Sequence, residues 1–171
     1  MNKLVNDHLY ETRNNLVNEI ALLNDEQFNS NPDMNKWSIA QVCHHLFLVE
    51  EATIKAIAWG LKKDDRTHVE RKRIDLILLD RTKKIIAPKI VEPNLEAFEV
   101  QEIIDLLSYS RKKLITFLYT IEDKSVLAEK SVKHPALDEL PLIQWIEQIY
   151  LHEQRHIEQI KEIKSLLNAS H

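Results

Sequence analysis

The sequence is poor in the residues that turns and special sites rely on. Gly60 is its one glycine in 171 residues. An all-β domain needs more, because its tight turns require positive φ. Glycine-rich phosphate loops and the dinucleotide fingerprint each need at least two. The single cysteine, Cys43, excludes an internal disulfide and any multi-cysteine zinc or iron–sulfur site. Basic charge is not in excess: the formal net charge is −4, so no field for nucleic acid exists. No apolar run approaches the ~20 residues that span a bilayer. The opening residues Met1-Asn2-Lys3-Leu4-Val5-Asn6-Asp7 hold no signal-peptide core. These absences predict a cytoplasmic protein with no membrane or nucleic-acid partner.

What is present is helical periodicity. Hydrophobic residues at 44% and charged residues at 29% suit a globular domain, and the length fits one domain over 1–171 with a full core. Four segments repeat apolar residues at helical spacing. The first spans about Leu4 to Leu23, with Leu9, Leu16, Ile20 and Leu23 near one face. The second begins at Trp37-Ser38-Ile39-Ala40-Gln41, where Ser38 and Gln41 spell a capping box, and runs to Trp59 with Gly60 as its stop. The third covers Val100 to Ile121. The fourth starts near Leu140 and Pro141, a proline suited to a first helical turn, and runs to Leu167. The connection Leu61–Glu99 opens with the charge run Lys62-Lys63-Asp64-Asp65-Arg66, contains the short apolar piece Ile74–Leu79, and ends in a stretch flanked by Pro88 and Pro93. So long a connection fits a crossover that lets the second and third helices run parallel. The expected fold is all-α, an up-down-down-up four-helix bundle.

The sequence has 8 histidines, and their phase is informative. His156 falls near the centre of the buried stripe of the last helix, and His152, one turn earlier, lies on its flank. Two imidazoles at i,i+4 on an inward face have the spacing to share one metal. On the second helix His45 lies on the shoulder of the apolar stripe and His44 on the solvent side. Three neutral imidazoles form a familiar catalytic set for zinc and also suit nickel or iron. His152-Glu153-Gln154-Arg155-His156 also spells the H-E-x-x-H of zinc proteases. Gln159 and Glu162 stand where the extended protease motif has glycine and histidine, and the chain that follows is short. Glu153 is read either as a proton-transfer group or as a charge paired with Arg155 or a lysine. Cys43 reads as a small buried apolar residue. His8, His68 and His171 have no special context.

The stretch Trp37-Ser38-Ile39-Ala40-Gln41-Val42-Cys43-His44-His45-Leu46 resembles the W-S-x-x-x-V-x-x-H-L signature of the DinB-like (YfiT-like) superfamily of metal-binding four-helix bundles. Trp145 through Ile160 resembles its W-x-x-x-x-x-x-H-x-x-R-H-x-x-Q-I signature. His134-Pro135 and Leu140-Pro141-Leu142 are similar to the usual lead-in, which carries glycine where Asp138 or Glu139 stands here. The resemblance covers essentially the whole chain. It implies a divalent metal, zinc or nickel, held by His45, His152 and His156. The enzyme reading built on it has a low-molecular-weight thiol such as bacillithiol, or water, attack a small-molecule electrophile, with Glu153 or His134 moving protons and Gln159, one turn beyond His156, fixing a ligand ring. Trp37 and Trp145 would wall the cavity. Relatives include thiol S-transferases and a maleylpyruvate isomerase, and a homodimer is expected. The alternatives are a bundle that holds a metal without turnover and an oligomerising bundle without one.

Overall fold

The computed structural model describes residues 3–64 and 69–169, with side chains from residue 5 onward. His68, His171 and positions 65–66 of the charge run lie outside the described residues. In chain order the elements are α1 (Lys3–Ile20), α2 (Asp25–Asn29), α3 (Ile39–Lys62), α4 (Ile74–Leu78), a 3-10 turn (Lys89–Val91), α5 (Val100–Thr120), α6 (Val126–Glu129), β1 (Ser131–His134), β2 (Asp138–Pro141) and α7 (Leu142–Ala169). The long helices α1, α3, α5 and α7 make the bundle. No helix among the described residues is long and apolar enough to cross a membrane.

Side-chain pairings fix the helix directions. Arg13 reaches Glu153 and Lys164 reaches Glu19, so α1 and α7 run parallel. Glu50 meets Ser110 and Arg111 while Glu51 meets Lys113, so α3 and α5 are parallel too. His45 lies beside His156, Thr53 is bonded to Gln148 and Gly60 packs on Leu142, which makes α3 and α7 antiparallel. The order is up-down-down-up, as the crossover predicts.

The capping box forms as the sequence spells it: Ser38 Oγ accepts from the Gln41 N–H at 3.2 Å and Gln41 Oε1 accepts from the Ser38 N–H at 2.9 Å. The far end of α3 differs from expectation. The helix continues to Lys62, and Gly60 lies inside it. A Cβ there would stand 2.6 Å from Leu142 Cδ2 and 2.7 Å from Val132 Cγ2, so Gly60 serves close packing and does not stop the helix. The lead-in to α7 is a β-hairpin that helical periodicity does not reveal. Its register pairs His134 with Asp138 and Ser131 with Pro141, so Pro141 closes a strand instead of opening a helix. Asp138 has φ of 60°, the left-handed region where glycine is favoured and Asp is tolerated.

The core has two apolar clusters. One gathers Leu9, Ile54, Ile57, Leu114 and Ile149 with the hairpin's Leu140. The other gathers Leu16, Ile20, Cys43, Leu46, Leu107 and Ile160. Between them each long helix contributes one charged residue: Arg13, Glu50, Arg111 and Glu153, all buried.

Candidate metal centre

The capping box and the antiparallel packing of α3 on α7 bring His45 beside His152 and His156. The ring centroids lie 5.1, 5.1 and 4.4 Å apart. One nitrogen from each ring falls within 4.8 Å of the others, and no further Cys, Asp, Glu or His among the described residues joins the group. His45 Nδ1 meets the Val91 carbonyl at 2.7 Å and His156 Nδ1 meets Gln159 Oε1 at 2.8 Å. Both partners are acceptors, so these Nδ1 atoms carry the protons and each Nε2 keeps its lone pair. His156 Nε2 faces His152 Nε2 at 3.0 Å, and His152 Nδ1 is buried without a partner.

Burial lowers the pKa of all three rings, His156 to about 3, and their mutual proximity adds to the effect in His152. The rings are therefore neutral at physiological pH, the state a metal requires of its ligands. Three buried, neutral imidazoles, two of them fixed in tautomer and the third with an orphaned nitrogen, fit a divalent cation, since they make too few hydrogen bonds among themselves.

The crossover completes the centre. α4 packs on α7, where Gln144 and the Lys72 backbone exchange hydrogen bonds at 2.8 and 2.7 Å. Arg155 donates to the carbonyls of Leu78, Asp80 and Lys83. The chain then crosses to α3, where Val91 meets His45 and the Asn94 N–H donates to His44 Nδ1 at 2.9 Å. Under this strap lies a cavity of about 170 Å³, walled by Trp37, Pro88, Val91, His134 and Trp145 with the three histidines. His134 is thus brought to the site.

Two sequence readings need correction. Glu153 does not line the cavity. Its carboxylate faces α1 and α5, accepting from Thr12 at 2.6 Å, Arg13 at 2.7 Å and Arg111 at 3.1 Å, so no proton-transfer role at the histidines follows, and its partners are not Arg155 or a lysine. His44 does not face open solvent: it is half-buried, packs near Phe47 and Phe98 and anchors the crossover. His8 stacks on Tyr150, outside the cavity. Cys43 is fully buried and desolvation pushes its thiol far up, in keeping with a packing role.

The DinB superfamily model matches residues 8–160. The chain belongs to the DinB superfamily. The uncharacterized protein YuaE of Bacillus subtilis (strain 168) is 30% identical over 160 residues, 94% of this chain and 97% of its own length. Two solved structures share the fold at 16% identity. One is YfiT from Bacillus subtilis, described as a probable metal-dependent hydrolase with an unusual four-helix bundle topology (TM-score 0.67, 98% of this chain and 90% of that one). The other is the four-helix bundle protein TT2238 (TM-score 0.61, 92% and 96%). The DinB signatures mark the three histidines but not Val91, whose backbone carbonyl carries no residue-type signal. Nor do they mark Arg13, Glu50 and Arg111, although each is a charge on an apolar stripe, a signal readable from periodicity.

Proposed function

We propose that this DinB-superfamily chain is a metal-dependent hydrolase or transferase acting on a small electrophile. His45, His152 and His156 would hold the ion through their unprotonated nitrogens, and zinc or nickel suits that donor set. A divalent cation there would supply Lewis acidity suited to activating water or a low-molecular-weight thiol such as bacillithiol near neutral pH.

One observation carries the reading: three neutral imidazoles from two helices converge beside an apolar cavity, with three protein ligands in the group among the described residues. Three protein ligands leave room for a reactant, whereas a purely structural site usually has four. The chain's own residues do the remaining work. Val91 and Gln159 orient the rings of His45 and His156. Trp37, Trp145 and the crossover give the cavity its apolar walls. The description of YfiT as a probable metal-dependent hydrolase favours hydrolysis. The reading includes a cytoplasmic homodimer, and the crossover exposes the apolar side chains Leu76 and Ile77.

The test is metal content by elemental mass spectrometry on untagged protein beside the His45→Ala, His152→Ala, His156→Ala triple variant. The expected result is about one divalent ion per chain, lost in the variant with helical circular dichroism retained. No bound metal, even after reconstitution with several divalent ions, overturns the reading.

A further inference from the structure

His134, the last residue of β1, contributes a fourth imidazole to the cavity wall, and its protonation pattern is fixed by its own turn. Its Nδ1 accepts hydrogen bonds from the backbone N–H groups of Ala136 and Leu137 at 3.1 and 3.2 Å. A neutral imidazole has one acceptor nitrogen and one N–H, so Nδ1 is the acceptor and the proton sits on Nε2. The ring is held 4.6 Å from that of Trp145, whose indole N–H is itself anchored on the Val132 carbonyl at 3.0 Å. Burial lowers the His134 pKa to about 4, so the ring stays neutral under ordinary conditions. It is thus a donor at Nε2 and a poor base.

The rest of the wall narrows what that donor can meet. Arg155 is the one formally charged side chain among the described lining residues, and its terminal nitrogens already serve three carbonyls. Gln148 donates to Thr53 at 2.9 Å, so these two polar groups satisfy each other in part. Among the described residues no carboxylate lines the cavity, and no further cationic side chain does. The volume of about 170 Å³ suits one ring-sized molecule, since an apolar cavity of ~150 Å³ takes up benzene.

We infer that His134 donates a hydrogen bond from Nε2 to an oxygen of a largely apolar small substrate, a carbonyl compound or one of similar polarity. As a nucleophile adds to a carbonyl carbon, the π pair moves onto the oxygen, and a fixed neutral donor there stabilises the growing charge. The inference rests on the cavity being the reaction site proposed above.

Two measurements test it. Ring 15N shifts should identify His134 as the Nε2–H tautomer. Binding of cyclohexanone and of methylenecyclohexane, which differ only in the oxygen, is then followed by NMR at the indole N–H groups of Trp37 and Trp145 in metal-loaded protein. The ketone-to-alkene affinity ratio should fall about tenfold in both His134→Phe and His134→Asn. The Asn variant keeps an acceptor for the Ala136 and Leu137 N–H groups while removing Nε2–H, so it separates the donor from the turn. A proton found on Nδ1, or a ratio unchanged in the folded Asn variant, overturns the inference. Failure of metal binding leaves both readouts measurable in metal-free protein, so the two readings fail separately.

Discussion

His152 and Glu153 are neighbours in the chain, yet their side chains take part in different chemistry because adjacent helical residues project about 100° apart. His152 joins the histidine group and Glu153 the buried charges on the other side of α7. The sequence placed both near the stripe and left their roles to be sorted by what packs against each side. Gln159 shows the reverse case: at i+3 from His156 on the same helix, its reach follows from helical geometry alone. Replacing Gln159 with alanine should weaken zinc affinity by about 10–100-fold, read by competition with a chelator, while the thermal midpoint barely moves. An unchanged affinity would show that His156 needs no help in orientation. His45 depends instead on a main-chain oxygen from the crossover, and a backbone partner far away in the chain has no sequence signature.

At the scale of elements, α3 is legible in the sequence at its start and not at its end. Ser38 and Gln41 act within one turn, so local chemistry decides the cap. Gly60 is decided by Leu142 and Val132, which are distant in sequence. Helix propensity favours alanine over glycine by about 1 kcal/mol, but overpacking a filled site costs about 1–3 kcal/mol. Gly60→Ala is therefore expected to destabilise the protein by about 1 kcal/mol in urea unfolding. A gain in stability would mean that Leu142 and Val132 yield without strain. The hairpin has no local signal for a related reason: its strands are short, and its left-handed residue is Asp138 instead of glycine.

Across the whole molecule, Arg13, Glu50, Arg111 and Glu153 tie all the long helices together. Burial alone would raise the Glu50 pKa, but Arg13 and Arg111 hold its carboxylate below the usual range. Removing one member strands an opposite charge in the core. Arg111→Met should cost about 3–5 kcal/mol in urea unfolding, and a loss under about 1 kcal/mol would show that water reaches the layer. Acid should act through the same buried groups. His45, His134, His152 and His156 all have folded pKa values below the ordinary 6.5. Between the two values the unfolded chain binds more protons, so stability rises with pH. The metal-free protein should therefore lose thermal stability steadily as pH falls from about 6.5 toward 4, and Glu50 adds to the loss below about 4.5. A flat profile of thermal midpoint over that range would contradict the burial of neutral imidazoles.

The sequence by itself determined the helix count of the bundle, the parallel pair joined by a crossover, the cap of α3 and the histidines that face inward. These follow from periodicity, capping chemistry and loop length, which act over a few residues or set global topology. Only the tertiary structure decided that Glu153 belongs to an ionic layer, that Gly60 admits a neighbour, and that Val91 aims His45. It also decided that His134 joins the cavity wall, because each of these depends on contacts between segments that the chain brings together only on folding.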